Sequence, residues 1–276
     1  MNEILANIPW TLLPATCAPL LVLLLAPLCQ PKVRATFALL LAAGGLALCV
    51  LAAIQAGGTR TLEIINPFFD ATQGRPVRHV VDRVSAPAWQ WPLAAAAFYL
   101  LPALVLWLRR DRPQTAPQPA LYAAGLGITC LLARLALEKS AAPSAVVWGT
   151  GMGFASFLIA PFVGWYAAAR SFSFAGLVGQ VLVWHLLQRG VLVALAWWFL
   201  TGHHGTHLDV HTIEKVDLPL AGPVTFGPED DAARWMRLML IPQLLLWGVQ
   251  TLGVGIVLGG VAWRIRRRRP AARGDA

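Results

Sequence analysis

Four residues in an otherwise apolar stretch carry the first chemistry. Trp184, His185, Gln188 and Arg189 lie within about one and a half helical turns, near the middle of 172–201. A permanent charge at membrane depth costs at least ~2.5–3.5 kcal/mol on insertion scales, so Arg189 must be paired, hydrated or used. Helix positions three and four apart share a face, which sets His185 beside Gln188 and Arg189. Gln180, Trp184 and Gln188 form a neighbouring row. The last apolar run offers Gln243, Trp247 and Gln250, with Thr251, again at helical spacing. If the two faces meet, they make an amide-rich pocket with one cation and two indoles. Such a pocket suits an anionic or amphiphilic ligand held by the guanidinium fork. The plainer alternative is interhelical glue, with Arg189 satisfied by backbone carbonyls, Gln250 or water, at ~0.6–2 kcal/mol per bond. No Asp or Glu lies deep in an apolar run, which disfavours a proton relay or sodium site. The last run also contains no lysine for a retinal Schiff base.

The second constellation is GHHGTHLDVH, 202–211, which packs His203, His204, His207, His211 and Asp209 into ten positions. On a helix, His203, His207 and His211 would align as ligands for Zn²⁺ or Cu²⁺. The interspersed glycines and threonines favour a solvated turn instead, and no HExxH pattern places a general base. Glu138 follows Arg134 by four residues, so the pair is expected to stabilise itself near a membrane interface. Cys17, Cys29, Cys49 and Cys130 show no metal or redox spacing and read as buried small hydrophobes. Gly149 with Gly153, and Gly255 with Gly259, give small-xxx-small patterns for close helix packing, with Gly151 as a possible hinge ahead of Pro161. There is no P-loop, dinucleotide fingerprint or GxSxG elbow, and nothing in the sequence requires a cofactor.

These residues need a frame, and composition identifies it. Of 276 residues, 57% are hydrophobic and only 13% charged, where soluble chains carry roughly 25%. Mean hydropathy is +0.62. An all-α, polytopic transmembrane bundle of about seven spans is predicted, at 10–29, 34–56, 89–108, 119–137, 143–168, 172–201 and 237–263. The whole of 1–269 reads as one transmembrane domain, with 270–276 a disordered tail. The first run has no preceding Lys or Arg and reads as a retained span rather than a cleaved signal. Loop 57–88 contains LEIINPFFD, which would lie flat on the membrane or dock over the bundle. Loop 202–236 carries turn signals and reads as an ordered cap.

Net charge is +9, and every basic residue except Lys32, Lys139 and Lys215 is arginine. Lys32, Arg34, Arg109, Arg110, Arg112, Arg170 and the run at 264–269 all fall on one side of a seven-span layout. The positive-inside rule makes that side cytoplasmic, with the N-terminus outside. Trp10, Trp89, Trp91, Trp148, Trp197, Trp198 and Trp235 would mark the outer interface; Trp107, Trp165 and Trp263 would mark the inner one. Arg264, Arg266, Arg267, Arg268 and Arg269 are expected to meet anionic lipid headgroups, not nucleic acid. A bacterial cytoplasmic (inner) membrane is the expected location. Three functions follow: a non-catalytic accessory, assembly or sensing component with a membrane protein partner; a small permease around Arg189; or a membrane enzyme using the outer histidines.

Overall fold

A computed structural model describes residues 12–70, 75–112, 115–218 and 222–268. Trp10, Arg269 and the 270–276 tail lie outside the described residues. In chain order the elements are α1 (Leu12–Leu25), α2 (Pro31–Ile54), β1 (Thr59–Asp70), β2 (Arg75–Pro87), α3 (Gln90–Leu108) and α4 (Pro119–Lys139). There follow α5 (Ser144–Gly149), α6 (Met152–Ala169), α7 (Phe174–Thr201), β3 (Lys215–Leu218), β4 (Gly222–Thr225) and α8 (Asp231–Arg234). π-helical turns at Trp235–Leu240 and Pro242–Leu246 then lead into α9 (Trp247–Arg268).

Among the described residues, five helices are long and apolar enough to cross a membrane: Pro31–Ile54, Gln90–Leu108, Pro119–Lys139, Phe174–Thr201 and the continuous Asp231–Arg268. Cys17–Leu28 and Ala155–Ala169 are apolar but shorter. The chain is thus a multi-pass helical membrane protein. Three of its helices begin where the sequence provides a cap or a first-turn proline. Pro31 and Pro119 occupy first-turn positions whose missing N–H costs nothing, and the Ser173 hydroxyl accepts from the Gly176 N–H at the head of α7. Large apolar side chains such as Leu40, Ile54, Leu108 and Val249 stay exposed on the outer surfaces of these helices, as lipid contact requires.

Two expectations are corrected. The fold is mostly helical but not all-α, because 57–88 forms the β1–β2 antiparallel hairpin and the cap contains a second hairpin, β3–β4. In β1 the alternation of Leu62 and Ile64 inward with Thr61 and Glu63 outward is the strand period, which an apolar-content scan does not resolve. The expected span 143–168 is also broken: α5 stops at Gly149, and Gly151 takes an extended N-cap conformation before α6. Gly149 and Gly153 therefore sit on different helices and do not form one packing face. Gly255 and Gly259 do, meeting Val181 and Trp184 of α7 and the Ala160 carbonyl of α6 respectively.

The core is layered along the bundle. Leu24, Ala123, Ile159, Val163, Val181 and Trp184 fill its centre, from α1, α4, α6 and α7. At one end Leu131 and Leu200 meet cap residues Leu208, Val210, Ile213 and Phe226. The β1–β2 hairpin packs Leu62, Ile64 and Val81 on Trp91, Ala142 and Val147 beside it. Arg234 is buried and fastens the cap to the last span, donating to the Ile213 carbonyl at 3.0 Å, to the Gly227 carbonyl at 2.6 Å and to Asp231 at 2.9 Å.

Candidate functional site

The α7 cluster faces the last span. Trp184, His185, Gln188 and Arg189 are all buried, and the α4 backbone leaves room for them at one glycine. A Cβ on Gly127 would lie 2.2 Å from Gln188 Oε1, so the amide sits in the notch that glycine leaves. Trp184 Nε1 donates to that same oxygen at 2.6 Å. His185 lies against Gly248, whose Cβ would come within 3.2 Å of Nε2.

Arg189 reaches across to two groups. Nη1 donates to Gln243 Oε1 at 2.7 Å, and Nη2 donates to Thr251 Oγ1 at 3.1 Å. In a regular α-helix, positions eight apart stand about 80° round the axis from each other. The wider π turns ahead of Trp247 reduce that offset and bring Gln243 and Thr251 to one side. Pro242 provides no N–H for the helical ladder at this point. Trp247 lies 5.9 Å from the guanidinium but is 45% exposed, so it only borders the cluster. Gln250 does not accept from Arg189, because its buried Oε1 has no partner. His185 Nδ1, Gln188 Nε2 and Arg189 Nε are buried and unpartnered as well.

A second polar centre lies at the cap end of α4, and sequence reasoning found half of it. Arg134 Nε contacts Glu138 Oε1 at 3.0 Å, as the four-residue spacing predicts. His207 joins from the cap, with Nδ1 at 2.7 Å from Oε1 and 3.0 Å from Oε2. Glu138 is 1% exposed, so its charge is balanced inside the protein rather than by water. Burial first, and Arg134 second, hold the His207 imidazole below its ordinary pKa, and the Glu138 carboxylate offsets part of that shift. Since a carboxylate only accepts, Nδ1 carries the proton between them. Beside this centre is a cavity of about 70 Å³, bordered by Leu62, Ile64, Arg134, Glu138, Trp148 and His207. The partners are 69 residues apart, and no local sequence signal connects them.

The five candidate metal ligands separate into three groups. His207 is bound to Glu138. His204 stacks edge-on against Trp198 and Phe199, with ring centroids 5.1 and 5.4 Å away. His203, Asp209 and His211 come together, each offering a ligand atom within 4.8 Å of the other two. Asp209 is fully buried; it accepts from the Gly205 N–H at 3.0 Å and lies 2.6 Å from His211 Nδ1. The segment is a set of turns rather than a helix, so the four-residue register of the histidines does not apply. Gly205 has φ +55°, and a Cβ there would strike Asp82 of β2 at 1.9 Å, which fixes glycine at that turn.

A further group of basic residues lies at the opposite end. Arg34 is buried and donates to the carbonyls of Arg109 and Arg112 at 3.1 and 3.0 Å. Arg170 donates to the Ala116 carbonyl, while Arg266 and Arg267 stack on Trp165 and Trp263. No protein-family model, curated protein or solved structure matches the chain. The functional reading therefore stands on these contacts.

Proposed function

We propose that this protein is a non-catalytic accessory, assembly or sensing component of a membrane, a bundle braced from within that presents its folded cap to a protein partner. The carrying observation is the engagement of Arg189: two of its nitrogens are hydrogen-bonded to Gln243 and Thr251 across the α7–α9 seam. A guanidinium so held ties the irregular last span to the bundle and does not present its fork to a ligand. The cavity beside Glu138 favours the same class. At about 70 Å³ it is far below the roughly 300–1,000 Å³ of sites that enclose small-molecule ligands, so a lipid-linked substrate does not fit there.

The proposal includes seven spans in a bacterial cytoplasmic (inner) membrane, with the N-terminus outside and the C-terminus inside. Contacts of Arg34 with the carbonyls of Arg109 and Arg112 bring basic residues of two loops to one end, which supports assigning that end to the cytoplasm by the positive-inside rule. There Arg264 and Arg266 to Arg268 would meet anionic headgroups at about 1 kcal/mol each.

A second reading has its own observation. His185 Nδ1, Gln188 Nε2, Arg189 Nε and Gln250 Oε1 are buried without partners, and such groups cost about 1–3 kcal/mol each unless something satisfies them. An anionic ligand in the seam would do so, as a small permease or binding protein requires. Unfolding of the purified protein separates the two. On the brace reading, Arg189→Ala loses about 1–3 kcal/mol of stability, and phosphate, sulfate or succinate shifts neither protein. Concentration-dependent stabilisation of the wild type that disappears in Arg189→Ala assigns the seam to ligand binding instead.

A further inference from the structure

We propose that His203, Asp209 and His211 form a binding site for one divalent transition-metal ion of the zinc, nickel or copper type at the edge of the cap. Two imidazoles and a carboxylate are the donor set such ions take, whereas calcium and magnesium call for oxygen ligands throughout. The three donors already lie within 4.8 Å of one another. The His203 and His211 ring centroids are 4.4 Å apart.

The site is held from behind. Asp209 is fully buried, and the N–H groups of Gly205 and His211 fix its carboxylate at 3.0 and 3.3 Å. His203 takes the left-handed conformation, φ +50°, on the turn that brings its ring to His211. Its side chain is exposed, so an ion has a path in from solvent and room for water as a further ligand. The 2.6 Å contact between His211 Nδ1 and Asp209 Oδ1 is a hydrogen bond. Tetrahedral ligands at 2.0–2.2 Å stand ~3.3 Å apart, so an ion taking Nδ1 displaces the shared proton, the ring takes one up at Nε2 and stays neutral, and the pair opens by under an ångström. His204, stacked on Trp198, and His207, bound to Glu138, take no part.

The test is isothermal titration of the detergent-solubilised full chain, purified without a polyhistidine tag, with Zn²⁺, Ni²⁺ and Cu²⁺. One ion per chain is expected for the wild type, with Mg²⁺ giving no saturable heat. Affinity should fall at least tenfold in His203→Asn and in His211→Gln and stay unchanged in His204→Gln. Asparagine tolerates the left-handed backbone, and His203 is exposed, so that variant probes the site without disturbing the core. Absence of saturable binding by all three ions, or equal affinity in His203→Asn, overturns the proposal.

Discussion

His207 is the residue at which the cap becomes sensitive to pH. Its imidazole is mostly buried against Glu138 and Arg134, and its pKa is held below the ordinary histidine value. The native state therefore keeps it neutral, while the unfolded chain protonates it near pH 6.5. Protons then bind the unfolded state preferentially as pH falls. Stability from this group is complete above about pH 6.5 and declines below it, by at most about 1.4 kcal/mol per pH unit until the native pKa is reached. Thermal midpoints of the wild type should drop between pH 7 and 5 more steeply than those of His207→Gln. Parallel profiles would show that the buried imidazole contributes no linkage. Arg189 has a different chemistry, since its charge is permanent and its neighbours are neutral amides and a hydroxyl.

Helix contacts decide how closely those residues are brought together. The tightest approach is between α6 and α9, where a Cβ at Gly164 would fall 1.7 Å from the Gly259 carbonyl oxygen. Neither backbone can move aside as a flexible side chain would. Gly164→Ala should thus cost about 3 kcal/mol or more, at the upper end of overpacking effects. Gly179→Ala, on an open face of α7 with nothing within 4 Å, should be neutral or gain about 0.5–1 kcal/mol. Denaturant unfolding compares them; equal effects would contradict the backbone contact. Helical spacing in the sequence was enough to pair Arg134 with Glu138, and it grouped Gln243 and Thr251 among the residues that could face Arg189. It offered Gln250 as one possible partner of Arg189, whereas Gln243 and Thr251 are the acceptors, with π-helical turns at Trp235–Leu240 and Pro242–Leu246 ahead of Trp247. It read His207 as a metal-ligand candidate rather than as the partner of Glu138, and passed over Arg234, because both sets of contacts depend on how the cap folds back. Apolar content located the long helices but not the β1–β2 hairpin, since strand alternation is only half apolar.

For the whole molecule, the polar side chains sort by depth. Arg34, Arg109, Arg112, Arg170 and Arg266 to Arg268 lie at one end, the neutral amides and Arg189 lie in the seam, and the carboxylate–histidine pairs lie at the cap. That arrangement suits a bundle closed at its centre with chemistry reserved for its ends. Cysteine accessibility in intact cells, against a background lacking the native cysteines, examines the closed centre and the orientation together. Thr225, exposed on β4, and Thr251, 1% exposed beside Arg189, are the two positions. A membrane-impermeant thiol reagent should label Thr225→Cys from outside, and Thr251→Cys should remain unlabelled even after permeabilisation. Labelling of Thr251→Cys, blocked by an anion, would contradict the brace, and protection of Thr225→Cys until permeabilisation would contradict the orientation.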